Sequence, residues 1–207
     1  MSFDVILSDV ARYYSDRLAR FGSTPAGVDW RDEASQGNRF AQLLRVVREV
    51  DASILDVGCG YGALLPFMRA RGFTGHYRGI DIASEMIRAA RTLHGMDAAA
   101  KFDIGAVPSD IADYAVASGI FNVRLTHDES SWRAYVLDTI AAMDRLSLRG
   151  FAFNCLTSYA DEERKRPDLY YADPCAYFHL CRRHYARDVA LLHDYGLFEF
   201  TLIVRKT

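Results

Sequence analysis

The segment that most constrains the fold is a short apolar run, Ile54-Leu55-Asp56-Val57, that leads directly into Gly58-Cys59-Gly60-Tyr61-Gly62. The apolar run is typical of a buried strand, the glycines indicate a tight turn, and residues 63–71 have the pattern of a helix. Glycines at a strand-to-helix turn let a ligand approach bare backbone, and the helix N-terminus supplies free N–H groups. The segment therefore predicts the first unit of a ligand-binding α/β sheet.

The alternation of strands and helices continues along the chain. Residues 77–82 predict a second strand that ends near Asp81, and Ser84 is expected to cap the helix after it. Further strands are expected at residues 101–105, 114–118 and 150–156, with a helix at residues 132–146. Strand cores this apolar predict a parallel sheet covered by helices on both sides. Residues 189–193 and 198–204 are joined by only four residues, which permits an antiparallel hairpin and no parallel crossover.

Two amphipathic helices are predicted before the first strand. The first covers residues 9–21, with Ser8 as its N-cap, and the second covers residues 32–50. We expect residues 1–52 to form a helical cover that belongs to the same domain as the core, residues 53–207. A length of 207 residues agrees with one domain of this kind.

Composition excludes several classes of protein. Lys and Arg total 25 against 27 Asp and Glu, so the chain lacks the positive field that nucleic-acid binding needs. Four cysteines without a CxxC pair indicate a reducing compartment rather than a disulfide framework. No apolar run reaches ~18 residues, so we expect a soluble cytoplasmic protein with no membrane partner. His179 and His184 are five residues apart and point to different helix faces, and we predict no metal site.

Two classes of nucleoside cofactor fit the glycine turn, and Asp56 separates them. Gly58, Gly60 and Ala63 satisfy the loose dinucleotide fingerprint, and Asp81 lies about where a ribose-binding acid belongs. A carboxylate at Asp56, however, would repel a pyrophosphate and attract a ligand that carries positive charge. S-adenosylmethionine carries an ammonium and a sulfonium, so it is favoured over NAD.

The same residues resemble a known family. Residues 54–62, followed by Gly79-Ile80-Asp81-Ile82-Ala83, resemble the first two motifs of class I S-adenosylmethionine-dependent methyltransferases. Residues 113–119 and 148–153 are similar to the family's fourth and fifth strands, and the resemblance covers about residues 53–206. It implies a Rossmann-like three-layer α/β/α sandwich with a seven-stranded, mostly parallel sheet and an antiparallel terminal strand. S-adenosylhomocysteine would be the product.

The resemblance also implies a set of cofactor residues. Gly58, Gly60 and Gly62 would line the methionine part, and Asp81 would accept both ribose hydroxyls or, alternatively, cap the next helix. Where the family often has an acid for adenine, this chain has Gly105-Ala106-Val107, so the main chain at Ala106 or a displaced Asp103 would substitute. Met86 would flank adenine or simply fill the core. The expected cofactor set is Tyr14, Arg39, Asp56, Gly58, Cys59, Gly60, Asp81, Ile82, Met86, Ala106, Ser118 and Gly119.

The acceptor is expected to be a small polar metabolite that is methylated on oxygen or nitrogen, mainly by alignment of the reactants. His127 and Tyr171 are candidate catalytic residues, while the neighbouring Asp128 has the alternative of capping a helix. Arg39 is expected to fork onto a carboxylate of the cofactor or of an acidic substrate, or to pair with a surface acid. Tyr13 and Tyr14 would close over the methionine end. The candidate substrate-binding residues are Trp30, Gln36, Tyr159 and Tyr170.

Other functions stay open at this point. The fourth strand is followed by Ser118-Gly119-Ile120-Phe121 rather than an Asn-Pro-Pro-Tyr type of motif, so a small substrate follows by elimination. A methyltransferase-like fold can catalyse another displacement on S-adenosylmethionine, or serve as a non-catalytic cofactor-binding subunit. An NAD-dependent oxidoreductase is disfavoured by Asp56 and by the terminal hairpin. The sequence leaves open whether the protein is a monomer or a homodimer.

Overall fold

The computed structural model describes residues 3–106 and 110–206, and a mixed sheet runs through its centre. The strands are β1 (Ile54–Val57), β2 (Tyr77–Asp81), β3 (Ala100–Ile104), β4 (Ala112–Ala117), β5 (Ser147–Thr157), β6 (Tyr171–Ala172), β7 (Asp188–Leu192) and β8 (Glu199–Arg205). Their order is β3-β2-β1-β4-β5-β8-β7, and β6 pairs separately with β5.

The direction of the strands confirms the predicted sheet. Neighbours among β1 to β5 are parallel, whereas β8 runs antiparallel to both β5 and β7. The seven strands in this order, of which β8 is the antiparallel terminal strand, therefore agree with the Rossmann-like architecture. The two-residue strand β6, which is parallel to β5, is an addition that the sequence pattern did not reveal.

The helices are α1 (Asp4–Phe21), α2 (Glu33–Leu43), α3 (Leu64–Arg69), α4 (Ser84–His94), α5 (Glu129–Leu146) and α6 (Pro174–His184). The two largest errors among the predicted helix boundaries concern α1 and α2. Helix α1 begins before Ser8, because Ile6 and Val10 lie one turn apart and both are buried against the core. Helix α2 ends at Leu43 and tightens into a 3-10 turn, Leu44–Val46, after which Val47 is extended, so the prediction to residue 50 was too long.

The caps of the helices are partly as predicted. Asp128 caps α5 by accepting from the N–H of Ser131 at 2.9 Å, and Asp173 caps α6 ahead of Pro174. Ser84 is not a cap, since it is the first residue of α4 and the N-cap position belongs to Ala83. Asp81 serves this helix start instead, as shown below.

Helices cover both faces of the sheet, which confirms the three layers. On one face, Trp132 of α5 and Tyr177 of α6 share a buried cluster with the β5 side chains of Phe151 and Phe153. On the opposite face a second cluster forms, whose members include Phe40, Leu43, Leu64, Met68, Ile87, Tyr77 and Val116. Helix α1 packs into the first cluster and α2 into the second, so the N-terminal helices adjoin the core on both sides. In the part of the chain described here, no helix is long and apolar enough to cross a membrane.

Candidate active site

A cleft lies at the carboxyl ends of the central strands, where open α/β sheets bind their ligands. The space that its residues enclose, counted together with the solvent at its mouth, is about 860 Å³. Its wall includes ten of the residues predicted for the cofactor, namely Tyr14, Asp56, Gly58, Cys59, Gly60, Asp81, Ile82, Met86, Ala106 and Ser118. Trp30 and Gln36, predicted for the substrate, lie on the same wall. The tertiary structure thus gathers these residues at one place.

The glycine loop after β1 has a backbone that only glycine adopts easily. Gly58 and Gly60 have φ angles of 71° and 55°. The N–H groups of Gly58 and Cys59 both donate to the carbonyl of Ile80, at 2.8 and 2.9 Å, so the loop folds back onto the end of β2. A Cβ added at Gly58 would lie 2.1 Å from Cγ2 of Ile120. Both the conformation and the space therefore require glycine at position 58.

Asp81 holds the loop and keeps hydrogen-bonding capacity to spare. Its Oδ2 accepts from the N–H of Gly60 at 2.8 Å, and its Oδ1 accepts from the N–H of Ala83 at 2.8 Å. Each carboxylate oxygen has a second lone pair, so both retain room for another donor. Burial raises the pKa of Asp81 to about 6, against the opposing effect of its N–H donors. Asp81 is therefore mostly ionised at pH 7, when it can accept two further hydrogen bonds.

Asp56 lies deeper and is held by Tyr77. The hydroxyl of Tyr77 donates to Oδ2 of Asp56 at 2.6 Å, and both residues are buried. Burial raises the pKa of Asp56 to about 7, the hydrogen bond from Tyr77 opposes the rise, and the charge of Asp81 adds to it. Burial thus favours the protonated form of Asp56 and weakens the negative charge that the sequence predicts there.

Ser118 and Gly119 follow β4. The hydroxyl oxygen of Ser118 is buried on the cleft wall and has no hydrogen-bond partner within the described ranges. The N–H of Gly119 donates to Oδ1 of Asn154 at 2.7 Å, and Gly119, which was predicted for the cofactor, is not among the residues of the cleft wall. Buried polar atoms are normally paired, so the free hydroxyl of Ser118 marks a position where a polar ligand atom can bind.

The structure bears on two of the alternatives that concern adenine. Met86 is buried with Tyr61 and Ala83 and also lines the cleft, so it belongs both to the core and to the cleft wall. Gly105 and Ala106 line the cleft, whereas Val107 is outside the described residues. Asp103 does not substitute for an adenine-binding acid, because its carboxylate lies 3.0 Å from Nη2 of Arg78.

Arg39 requires a correction, because it does not line the cleft. Its Nε and Nη2 donate to the carboxylate of Glu199 at 2.9 and 2.6 Å, and its Nη1 donates to the carbonyl of Ser35 at 2.8 Å. The carboxylate that Arg39 holds is therefore an internal one. The pair is also buried, with Arg39 7% and Glu199 1% exposed, so Arg39 is not a surface arginine either.

The predicted catalytic pair is corrected as well. Nε2 of His127 lies 3.2 Å from Oδ2 of Asp9, so this side chain joins the loop after β4 to α1. The hydroxyl of Tyr171 accepts from the N–H of Arg166 at 2.9 Å. Neither residue is part of the cleft wall. Tyr171 is drawn away because the segment after β5 turns back and pairs as β6 beside β5, whereas His127 lies against Asp9 of α1.

Three further tyrosines also lie away from the cleft. Tyr170 is buried, and its hydroxyl is 3.1 Å from that of Tyr177. Tyr159 is 68% exposed and packs edge-on against His193. Tyr13 donates to Asp29 at 2.8 Å. The substrate roles expected of Tyr159 and Tyr170 are therefore corrected to surface and core packing.

Sequence reasoning missed several residues of the cleft wall. They are Val10, Val28, Phe40, Val57, Tyr61, Ala63, Gly105, Ile120 and Tyr135. Most are apolar residues whose spacing is the same as that of core residues, so no local pattern distinguishes them. The exceptions, which the motif could have revealed, are Val57, Tyr61 and Ala63, since they stand in or beside the glycine turn. Across residues 3–106 and 110–206, no group of three or more His, Cys, Asp or Glu residues could hold a metal ion.

Comparison with known proteins decides the family. Residues 54–146 match the family model described as a methyltransferase domain. The chain is 54% identical over 164 residues to Rv1506c of Mycobacterium tuberculosis H37Rv, a protein named as a candidate methyltransferase; the match covers 79% of this chain and 99% of the relative. The chain belongs to the methyltransferase family. This methyltransferase is of class I and uses S-adenosylmethionine, the methyl donor of the family.

Solved structures share the fold of this methyltransferase. One is a magnesium protoporphyrin IX methyltransferase of Synechocystis PCC 6803 with bound S-adenosylhomocysteine, which has a TM-score of 0.65, 12% identity and full coverage of both chains. Another is the 1,6-didemethyltoxoflavin-N1-methyltransferase of Burkholderia thailandensis, with a TM-score of 0.66 and 19% identity, covering 99% of this chain and 88% of the other.

The residues of the cleft fit this donor. Among the described residues that line it, Asp56 and Asp81 are acidic and none is basic. The site therefore favours a ligand with positive charge, chiefly through ionised Asp81. Asp81 has acceptor capacity for hydroxyl groups, and the hydroxyl of Ser118 has no internal partner. A Cβ at Gly60 would lie 3.1 Å from Val28, another residue of the cleft wall, so a side chain at this position would crowd Val28.

Proposed function

We propose that this methyltransferase methylates an oxygen or a nitrogen of a small polar metabolite and releases S-adenosylhomocysteine. The observation that carries the proposal is the roof of the cleft: Val10 and Tyr14 of α1 and Gln36 and Phe40 of α2 line the same space as Asp81. A small acceptor fits beneath these helices, whereas a duplex or a folded protein would need the cleft uncovered. The near balance of charge, −2 overall, also supports a small acceptor.

The donor would be held by residues on the sheet side of the cleft. Asp81 would accept both ribose hydroxyls, the loop at Gly58 and Gly60 would receive the methionine part, and Ile82 and Met86 would flank adenine. When bound, S-adenosylmethionine supplies a methyl group on a positively charged sulfur that is already activated for displacement. The contribution of the protein is then to align the acceptor and to exclude water. This agrees with a cleft wall on which neither His127 nor Tyr171 is found.

The charges of the cleft favour an acceptor that is neutral or cationic. An anionic acceptor would meet Asp56 and Asp81 without a cation on the described wall to offset them. Arg39 does not provide that cation, because Glu199 neutralises it. Polar contacts are available from Ser118 and Gln36, whose Oε1 accepts only a long hydrogen bond, 3.4 Å, from Tyr61. The acceptor would therefore be aligned by neutral hydrogen-bonding groups between aromatic walls.

Two measurements test the proposal. Calorimetric titration with S-adenosylmethionine, S-adenosylhomocysteine, NAD and NADP should show binding of the sulfur nucleosides alone. Transfer of a radiolabelled methyl group is then measured with small hydroxyl and amine acceptors grouped as anionic, neutral and cationic, and with bulk RNA and protein as macromolecular controls. We expect product with neutral or cationic small acceptors. Transfer only to anions or only to a macromolecule would contradict the proposal.

A further inference from the structure

Arg39, Glu199 and Asn154 form a buried polar chain behind the cleft, which we call the Glu199 network. Arg39 donates to both oxygens of Glu199, and Nδ2 of Asn154 donates to Oε2 of Glu199 at 2.9 Å. The three side chains come from α2, β8 and β5, and all are buried. None of them lines the cleft. Any effect of the network on a ligand in the cleft is therefore indirect and passes through neighbouring residues.

The network ends on two residues beside the cleft. At one end, the guanidinium carbon of Arg39 lies 3.9 Å from the centroid of the Trp30 ring. At the other end, Oδ1 of Asn154 accepts from the N–H of Gly119. Trp30 and Gly119 also touch, because a Cβ at Gly119 would lie 2.2 Å from Cζ2 of Trp30. The contacts therefore form a closed chain that includes the indole of Trp30.

The chemistry of the network suits orientation better than stability. Buried ion pairs are often replaced by apolar residues without loss of stability, because both charges must be removed from water. The geometry of this pair is specific, however, since the planar fork of Arg39 grips a carboxylate and presents its face to Trp30. The amide of Asn154 must likewise donate to Glu199 and accept from Gly119, which leaves it a single orientation.

We propose that Arg39, Glu199 and Asn154 are positioning residues that hold the Trp30 indole and the turn at residues 118–119 in place, and so shape the acceptor side of the cleft. Ser118 moves with this turn, and both Ser118 and Trp30 are on the cleft wall. The proposal rests on the proposed function in one respect, that the acceptor occupies the cleft beside Trp30. The positions of Trp30 and of the turn can be tested without any acceptor.

The test uses fluorine NMR on the full chain labelled with 5-fluorotryptophan. The chain has two tryptophans, Trp30 and Trp132, so two resonances are expected, and Trp30→Phe assigns them. Asn154→Ala should shift or broaden the Trp30 resonance and leave that of buried Trp132 in place. The matched control is Tyr195→Phe, which removes a hydroxyl contact to Thr201 in the same region but outside the network, and should leave both resonances in place.

A second variant guards against loss of folding. Arg39→Met combined with Glu199→Met removes both charges together, so no buried charge is left unpaired. The double variant should fold and still displace the Trp30 resonance. An unmoved Trp30 resonance in either folded variant would overturn the proposal, and this result does not depend on whether an acceptor is known.

Activity provides the functional readout. With an acceptor from the methyl-transfer screen, Asn154→Ala should lower kcat/KM about tenfold or more, because the acceptor wall is misplaced. The affinity for S-adenosylhomocysteine should change less than about threefold, since Asp81 and the glycine loop are untouched. An equal loss of kcat/KM and of affinity for S-adenosylhomocysteine would assign the network to cofactor binding and overturn its role on the acceptor side. Failure of every acceptor with a shifted Trp30 resonance would instead count against the proposed function alone.

Discussion

The carboxylate of Asp81 accepts a hydrogen bond from the backbone N–H of Gly60, with 2.8 Å between the oxygen and the nitrogen. This bond joins the end of β2 to the loop after β1. The other carboxylate oxygen of Asp81 accepts from the N–H of Ala83 and so fixes the start of α4. A ligand that binds Asp81 is therefore held against the loop as well.

Replacement of Asp81 by Asn should weaken binding of S-adenosylhomocysteine about 10-fold to 100-fold. The amide keeps one acceptor oxygen, and its NH₂ faces an N–H donor where the carboxylate accepted. Calorimetric titration measures the change. Asp103→Asn is the matched control, since Asp103 is on the adjacent strand and pairs with Arg78 away from the cleft. Equal affinities of the wild type and of Asp81→Asn for S-adenosylhomocysteine would refute the assignment of Asp81 to the ribose.

Binding of S-adenosylhomocysteine should also weaken as the pH falls through about 6. Asp81 has a pKa of about 6 because of burial, and its protonated form loses acceptor capacity. Titrations from pH 8 to pH 5 should show a dissociation constant about tenfold higher at pH 5 than on the plateau. In Asp81→Asn the step near pH 6 should be absent. A flat profile of the wild type would contradict this assignment.

The stability of the ligand-free protein should depend on pH in the opposite direction to ligand binding. Folded Asp81 keeps its proton up to about pH 6, whereas the unfolded chain releases it near the ordinary value of 3.8. Between these values the folded state binds more protons, so the free energy of unfolding should fall as the pH rises from 4 to 6. Urea unfolding at several pH values measures this slope, and Asp81→Asn should reduce it.

Gly58→Ala should be much more harmful than Gly72→Ala. The two glycines have φ angles of 71° and 82°, so the backbone strain is similar, but a Cβ at Gly72 meets nothing within 4 Å. At Gly58 it would collide with Ile120, which adds about 1 to 3 kcal/mol of overpacking. Urea unfolding compares the two. Ile120→Ala should partly rescue Gly58→Ala, and failure of that rescue would show that the contact with Ile120 is not the cause.

Arg39→Met and Glu199→Met should each lower the free energy of unfolding by about 3 to 5 kcal/mol, because each leaves a buried charge unpaired. The double variant should be more stable than either single variant. Chemical unfolding of the four proteins gives the coupling energy. Additive losses would indicate that the two groups are not paired in solution.

Ser118→Ala should leave the ligand-free stability within about 0.5 kcal/mol of the wild type, because the hydroxyl has no internal partner among the described residues. The contrasting variant is Ser147→Ala, whose hydroxyl donates to the carbonyl of Met143 at 2.8 Å and whose loss should cost about 1 kcal/mol. Thermal unfolding separates them. An equally large loss in Ser118→Ala would reveal a bond that the hydroxyl makes inside the protein.

The cleft shows which kind of site residue a sequence can predict. Asp56, Gly58, Gly60 and Asp81 were found because each follows a strand that the apolar pattern locates, and strand ends converge at the ligand edge of a parallel sheet. His127 and Tyr171, which belong to the connections after β4 and β5, are not on the cleft wall. The path of such a segment depends on contacts with distant parts of the chain, as the pairing of β6 with β5 shows.

By itself, the sequence determined the features that local rules govern. These are the strand, glycine turn and helix at residues 54–69, the acid at the end of β2, and the terminal hairpin with its short link. These depend on neighbouring residues, and periodicity reports which side chains turn inward. Only the tertiary structure decided which inward side chains meet. Arg39 and Glu199 are 160 residues apart, a distance that no rule of sequence spacing covers. They pair because the fold places β8 beside α2, and this placement is visible only in the tertiary structure.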